Sequence, residues 1–406
     1  MDIFDKCYSF NTAKRLMERD IFPYFIPLAS AQGPQIKVGD RELIMLGSNN
    51  YLGLAGDPEM KRAAQDAVAH WGTGCGGSRF LNGTMELHHE TELKLAKFKR
   101  REAALIFSTG YQTNLGVLSC LAGRKDVVIV DKGDHASIID GGRLSWGETL
   151  RYRHNDMDHL EQILRGIPAD RGKLIAVDGV FSMEGDIADL PGIVAAARRH
   201  GARIVLDDAH STGVLGLNGR GTCEHFGLEN NEVDLIVGTC SKALGSVGGF
   251  VAGDKDVIHY IQLNARSMMF SAALPPACVA AISRAIDFIQ DEPERRARLW
   301  DNAQRLRTGL QSLGLSTGVT ETPIVPIEIG DDEEVFRFWR LAFDAGIFNN
   351  PIITPAVLPG HSLIRNTLMA THTAEHIDRA LELFEHCGKK AGLLPRPERD
   401  GVSIAA

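Results

Sequence analysis

Between about residue 100 and residue 255, short and continuous apolar runs alternate with segments whose apolar positions return at helical spacing. The runs at 104–107, 127–131, 174–178, 203–207 and 235–238 are apolar without alternation, which is the pattern of strands covered on both faces. Segments 156–165 and 190–200 carry a helical period, so strands and helices interleave and a mainly parallel α/β sheet is expected. A sheet of that kind places ligands beyond the carboxyl ends of its strands. After Pro275 and Pro276 the pattern changes to long charged helices at 292–313 and 374–387, around a strand-rich piece at 324–329. That change predicts a C-terminal α+β domain over 286–394, after an N-terminal arm over 1–55 and a large domain over 56–285. The polar, proline-bearing tail at 395–406 is expected to be disordered. Within the arm, 21–31 (IFPYFIPLASA) is apolar and broken by proline, and packing on the main domain or on a partner subunit is preferred to a membrane contact.

Composition narrows the function classes. At 406 residues, with 44% hydrophobic and 24% charged positions, the chain has material for a large interior and more than one domain. A net charge of -8 leaves no basic surplus for a nucleic acid, so an anionic ligand must be met by local donors. The seven cysteines form no CxxC pair and read as reduced thiols, with neither a disulfide framework nor zinc-ligand spacing; no metal is expected. Residues 1–14 hold no long apolar run and no stretch is long enough to span a bilayer, so a cytoplasmic enzyme is expected, with a peripheral contact at the inner membrane left open.

Polar residues cluster after the predicted strands. RIVLDDAH (203–210) ends a buried run on Asp207 and adds His210 three residues later. A carboxylate there suits a protonated pyridine nitrogen, which keeps the ring electron-withdrawing, and the imidazole suits the ring's phenolic oxygen. Alone, each is more often a cap or a satisfied core group. VGTCSKALGSVGG (237–249) decides between the readings, because it sets one lysine, Lys242, among small and hydroxylated residues behind a buried strand. A desolvated amine is what Schiff-base formation with pyridoxal 5'-phosphate (PLP) requires. Thr239 and Ser241 offer hydroxyls to a phosphate, and Gly245, Gly248 and Gly249 are read as letting the backbone approach a ligand. FSTGYQTN (107–114) adds a strand end in which Gly110 relaxes the backbone before a helix whose N–H groups face an anion. His135 in DHASI (134–138) and Ser182 in VFSMEGD (180–186) follow two more strands, the imidazole placed to lie over the pyridine ring. A nicotinamide-dinucleotide reading fails, since no G-x-G-x-x-G opens a helix after a first strand.

On these residues the sequence resembles the α-oxoamine synthases, a family of fold-type I PLP enzymes, over nearly the whole chain. The family pattern of a histidine (His135), a D-x-x-H pair (Asp207, His210) and a T-x-S-K run (Thr239, Ser241, Lys242) is present in order. The resemblance implies the aspartate aminotransferase-like fold, with a mainly parallel seven-stranded sheet in the large domain and a homodimer with active sites at the subunit interface. It implies that Gly110 and Tyr111 hold the phosphate with Thr239, Ser241 and the neighbouring subunit's Ser271, and that Asn50 and Arg365 hold a substrate carboxylate. It also implies the activity, a decarboxylative condensation of an amino acid with an acyl-CoA thioester. GGSRFLNGT (76–84) and MATHT (369–373) read closest to bacterial members that join L-serine to a long-chain acyl-CoA, with glycine- or alanine-using members as the alternative and an inactive PLP-binding subunit as the reading from another class. One departure stands out: PIITPAVLPG (351–360) has no basic residue, and Ile353 takes the place where some members carry an arginine.

Overall fold

The computed structural model describes residues 2–228 and 231–395. These form two compact units, one comprising 49–300 with 369–371, the other 2–48, 301–368 and the residues from 372 onward. The tail expected to be disordered, 395–406, lies outside the described residues beyond Pro395.

The larger unit is built on a seven-stranded sheet. In chain order its strands are β1 (Ala103–Phe107), β2 (Val127–Asp131), β3 (Glu148–Tyr152), β4 (Lys173–Asp178), β5 (Arg203–Asp207), β6 (Leu235–Thr239) and β7 (Gly249–Gly253). In space they run β1-β7-β6-β5-β4-β2-β3. All neighbours from β3 to β6 are parallel, and β7 lies antiparallel to both β1 and β6. Alternate residues of each strand enter opposite cores. Val127, Ile129, Ile175, Val177, Ile204 and Leu206 pack with Leu160, Leu164 and Ile193 of two helices on one face. Val128, Val130, Val205 and Val237 pack with Val117, Leu118 and Ile261 on the other. Because both faces are covered, the apolar runs are continuous in sequence.

Helix limits follow local chemistry. Leu190–His200 begins where the Asp189 side chain accepts from Gly192 N–H, carries Pro191 in its first turn, and stops at Gly201, whose φ of +62° favours glycine. Two strands escape the periodicity. β3 is an edge strand with the polar sequence ETLRY, half open to solvent, and β7 (GFVAG) is bounded by glycines that read as loop.

The smaller unit holds two three-stranded sheets, Gln35–Val38/Arg41–Met45/Ile347–Phe348 and Ile324–Gly330/Ser362–Thr367/Asn350–Ile352. The helices Asp332–Ala345 and Ala374–Ala391 pack beside each other through Phe338 and Phe384, whose rings stack at 6.3 Å. In the apolar stretch 21–31, Ile21 and Pro23 are buried and the Tyr24 ring meets Phe336 edge-on, while Phe25 is 96% exposed. Among the described residues no helix is long and apolar enough to cross a membrane.

Candidate active site

The carboxyl ends of the strands open on a cavity of about 270 Å³ lined by Gly110, Tyr111, His135, Ser182, Asp207, His210, Thr239, Ser241 and Lys242. Nine of the ten residues expected to touch a cofactor are thereby brought together. A larger cavity, about 610 Å³, lies at the opposite strand ends beside Lys173, Arg203 and Leu235, the first residues of β4, β5 and β6. None of the expected site residues lines it.

The anion cradle forms where β1 gives way to the helix Gly110–Leu121. Thr109 caps that helix by accepting from Gln112 N–H at 3.1 Å, leaving the first N–H groups to face the cavity. Gly110 is required for a reason other than backbone relaxation: it is the first helical residue, and a Cβ there would come within 2.8 Å of the Thr239 side chain. Gly249 is explained likewise, since its Cβ would lie 2.6 Å from the Cα of Gly110. These glycines let the helix start and β7 close on each other, where the sequence reading had assigned Gly249 to a ligand. Thr239 Oγ1 and Ser241 Oγ are 2.9 Å apart at the end of β6.

Asp207 ends β5 with both oxygens held, Oδ1 by Ala209 N–H at 2.9 Å and Oδ2 by the Asn114 amide at 2.6 Å. The same amide donates to Ser137 Oγ at 2.9 Å, and that hydroxyl lies 2.8 Å from His135 Nδ1. Ser137 N–H also donates to Nδ1 at 3.3 Å. With both donors on Nδ1, the neutral imidazole carries its proton on Nε2. Burial pushes His135 below its ordinary value; Asp207 opposes that shift and Lys242 adds to it. The backbone of His135 is fixed by its N–H, which donates to Asp178 Oδ2 at 2.7 Å. Burial, reinforced by the Asp207 charge, holds the Asp178 carboxyl well above the usual range.

Lys242 Nζ sits 2.7 Å from His210 Nε2, and His210 Nδ1 sits 2.7 Å from the Tyr51 hydroxyl. Ser271 does not line the cavity; its Oγ accepts from Gln112 Nε2 of the same chain at 3.1 Å. Asn50 is buried, with Oδ1 accepting from Ala55 N–H, and Arg365 is buried on the strand Ser362–Thr367 of the smaller unit; neither lines the cavity. Sequence reasoning missed Tyr51, Asn114, Ser137 and Asp178. Two of them, Asn114 and Ser137, stand inside motifs it singles out, and Asn114 follows Gly110 at the one-turn spacing that puts both on one helix face.

These groups fit pyridoxal phosphate. A helix start beside two hydroxyls would suit the phosphate, an oriented carboxylate the pyridine nitrogen and two imidazoles the ring and its phenolic oxygen, with a primary amine in the same cavity.

The aminotransferase class I and II family model matches residues 41–384. The chain is 48% identical to a serine palmitoyltransferase of Sphingobacterium spiritivorum over 94% of its length and 96% of that protein's. It is 43% identical to an 8-amino-7-oxononanoate synthase of Thermoanaerobacter pseudethanolicus, over 94% of this chain and 96% of that one. Its fold superposes on a serine palmitoyltransferase from S. paucimobilis with a bound PLP–myriocin aldimine at a TM-score of 0.93 and 37% identity, covering 97% of this chain and all of the other. The chain belongs to the aminotransferase class I and II family, and within it to the α-oxoamine synthases.

Proposed function

We propose that this chain is a PLP-dependent C-acyltransferase that condenses L-serine with a long-chain acyl-CoA, palmitoyl-CoA, to give 3-ketodihydrosphingosine, CoA and CO2. The observation that carries the reading is the convergence of Lys242, Asp207, His210 and His135 on one small cavity beside an anion cradle. Serine as the amino acid rests on the relatives of that name and on the GGSRFLNGT segment. There Arg79 forms a buried ion pair with Glu92 at 2.8 Å, and Gly77 O accepts from Ala273 N–H at 2.9 Å. That second bond ties the segment to the stretch bearing Ser271.

When bound to Lys242 as a Schiff base, the cofactor supplies an electron sink for the charge left on the substrate's Cα. Asp207, held by two donors, keeps a proton on the pyridine nitrogen. The Lys242 amine, which would hold the cofactor, is also the base placed to take the α-proton of serine. The Nε2–H of neutral His135 orients the substrate and donates toward the thioester oxygen as the new C–C bond forms. The thioester C–S bond then breaks with CoA as leaving group. Loss of the carboxylate as CO2 follows, and a proton returns to Cα from Lys242. By the family resemblance, Asn50 and Arg365 would be the residues that take the serine carboxylate, a planar anion that suits a guanidinium, and so orient the bonds at Cα. The enzyme acts as a homodimer in the cytoplasm, Ser271 serving the phosphate of the partner's site.

The 8-amino-7-oxononanoate synthase relatives support a second reading, with alanine or glycine and a different acyl-CoA. Titrating the PLP-loaded protein separately with serine, glycine and alanine, while following the cofactor's visible absorbance, distinguishes them. Saturable change with serine is expected; change with alanine or glycine and none with serine overturns the substrate. A reducible covalent PLP adduct surviving in Lys242→Ala overturns the site.

A further inference from the structure

We propose that Tyr51 is a positioning residue for the bound cofactor, acting by fixing which ring nitrogen of His210 carries the proton. The inference rests on the reading of the cavity as a PLP site and adds to it a residue that does not line the cavity.

Tyr51 is 1% exposed and its main chain is pinned: its N–H donates to Asn49 O at 2.8 Å and its carbonyl accepts from Ala370 N–H at 2.7 Å. The ring meets that of His210 near edge-on, centroids 6.0 Å apart at 75°, and brings the hydroxyl to 2.7 Å from Nδ1. A neutral imidazole has one donor and one acceptor nitrogen, so the proton on one side decides the role of the other. With the phenol O–H donating to Nδ1, the imidazole proton sits on Nε2. Nε2 is the nitrogen 2.7 Å from Lys242 Nζ. In this tautomer it can donate to the Lys242 nitrogen, or to the phenolic oxygen of a bound cofactor. The opposite tautomer would turn a bare Nε2 lone pair on that anionic oxygen, a repulsive contact. Tyr51 therefore holds His210 in the one form that serves as a donor. Tyr111, His135, Asp178, Asp207 and Lys242 are the other titratable groups sharing the cavity with His210.

A donor on the phenolic oxygen draws negative charge out of the conjugated ring and lowers the proton affinity of the Schiff-base nitrogen. Removing the selector weakens that donor and raises the affinity.

The test uses the PLP-loaded full-length protein without substrates. In Tyr51→Phe, which keeps the ring and its packing, the pH midpoint of the cofactor's visible-band change is expected to rise. Proton affinity should be roughly threefold to tenfold tighter, as expected for weakening one charge-assisted hydrogen bond. An unchanged midpoint with cofactor bound overturns the Tyr51 role alone. Wild-type protein showing no bound-cofactor band removes the PLP reading on which it rests. As a second measurement independent of any Tyr51 variant, long-range ¹H–¹⁵N spectra of ¹⁵N-histidine-labelled holoenzyme, with His210 assigned from His210→Gln, should place the proton on Nε2. A proton on Nδ1 overturns the proposal.

Discussion

The side-chain amide of Asn114 donates at once to Asp207 Oδ2, at 2.6 Å, and to Ser137 Oγ, at 2.9 Å. One buried amide thus orients both Asp207, the acid proposed to meet the pyridine nitrogen, and, through Ser137, the His135 imidazole. Asn114→Ala should leave Asp207 with one donor. A lost hydrogen bond to a charged group corresponds to roughly a tenfold to hundredfold weaker PLP affinity. Equilibrium titration of the apo protein measures it, and an unaltered dissociation constant would contradict the assignment.

Ser137 sets the protonation of His135. Its hydroxyl and N–H both serve Nδ1, which suits the neutral ring, and burial holds His135 below its ordinary value. If turnover needs the neutral ring, kcat falls as pH drops through this depressed value. Ser137→Ala removes one donor and should move that acidic limb upward by about half to one pH unit, the worth of one neutral hydrogen bond. A pH–rate profile checks the direction.

Lys99 reaches three partners with no exposed side-chain surface: Asp208 at 2.9 Å, Thr212 Oγ1 at 2.8 Å and the Arg220 carbonyl at 2.6 Å. It anchors the turn that carries Asp207 and His210. Lys99→Met strands the Asp208 carboxylate in the interior, and a loss of about 3–5 kcal/mol is expected. Denaturant unfolding measures this, and the double variant with Asp208→Asn should recover part of it.

His154 bridges Asp131 Oδ1 at 2.9 Å and Asp186 Oδ2 at 3.1 Å. The bond to Asp131, then that to Asp186, raises its pKa from about 6.5 to about 10. A raised histidine stabilises the fold fully below its ordinary value, and the contribution is lost as pH rises through the folded value. Its side chain is 40% exposed, so solvent screening reduces the worth of the bridge to roughly 1–2 kcal/mol. The stability gap between wild type and His154→Gln should be full near pH 6 and vanish above about pH 10. A gap that grows with pH would refute the ion pair.

The continuous apolar runs alone located β1, β2, β4, β5 and β6 within a residue of their ends, because strands buried on both faces tolerate nothing else. They also placed the polar residues that follow them, and hence most of the cavity wall. Edge strand β3 was hidden because one exposed flank lets polar residues in, and β7 because glycines that permit close approach look like loop. Glycine identity was visible but its reason was not: Gly110 and Gly249 answer to each other and to Thr239, positions far apart in the chain.

The chemistry-bearing side chains, Lys242, Asp207, His210 and His135, were legible because few residue types can do their work. Their supports were not. Asn114, Ser137, Asp178 and Tyr51 are ordinary polar residues whose meaning lies in a partner tens to more than a hundred positions away. A hydrogen bond is a relation in space, which periodicity along one strand or helix does not encode. The sequence therefore determined which groups act, and only the folded chain decided which neighbour holds each one, in which tautomer and with which charge.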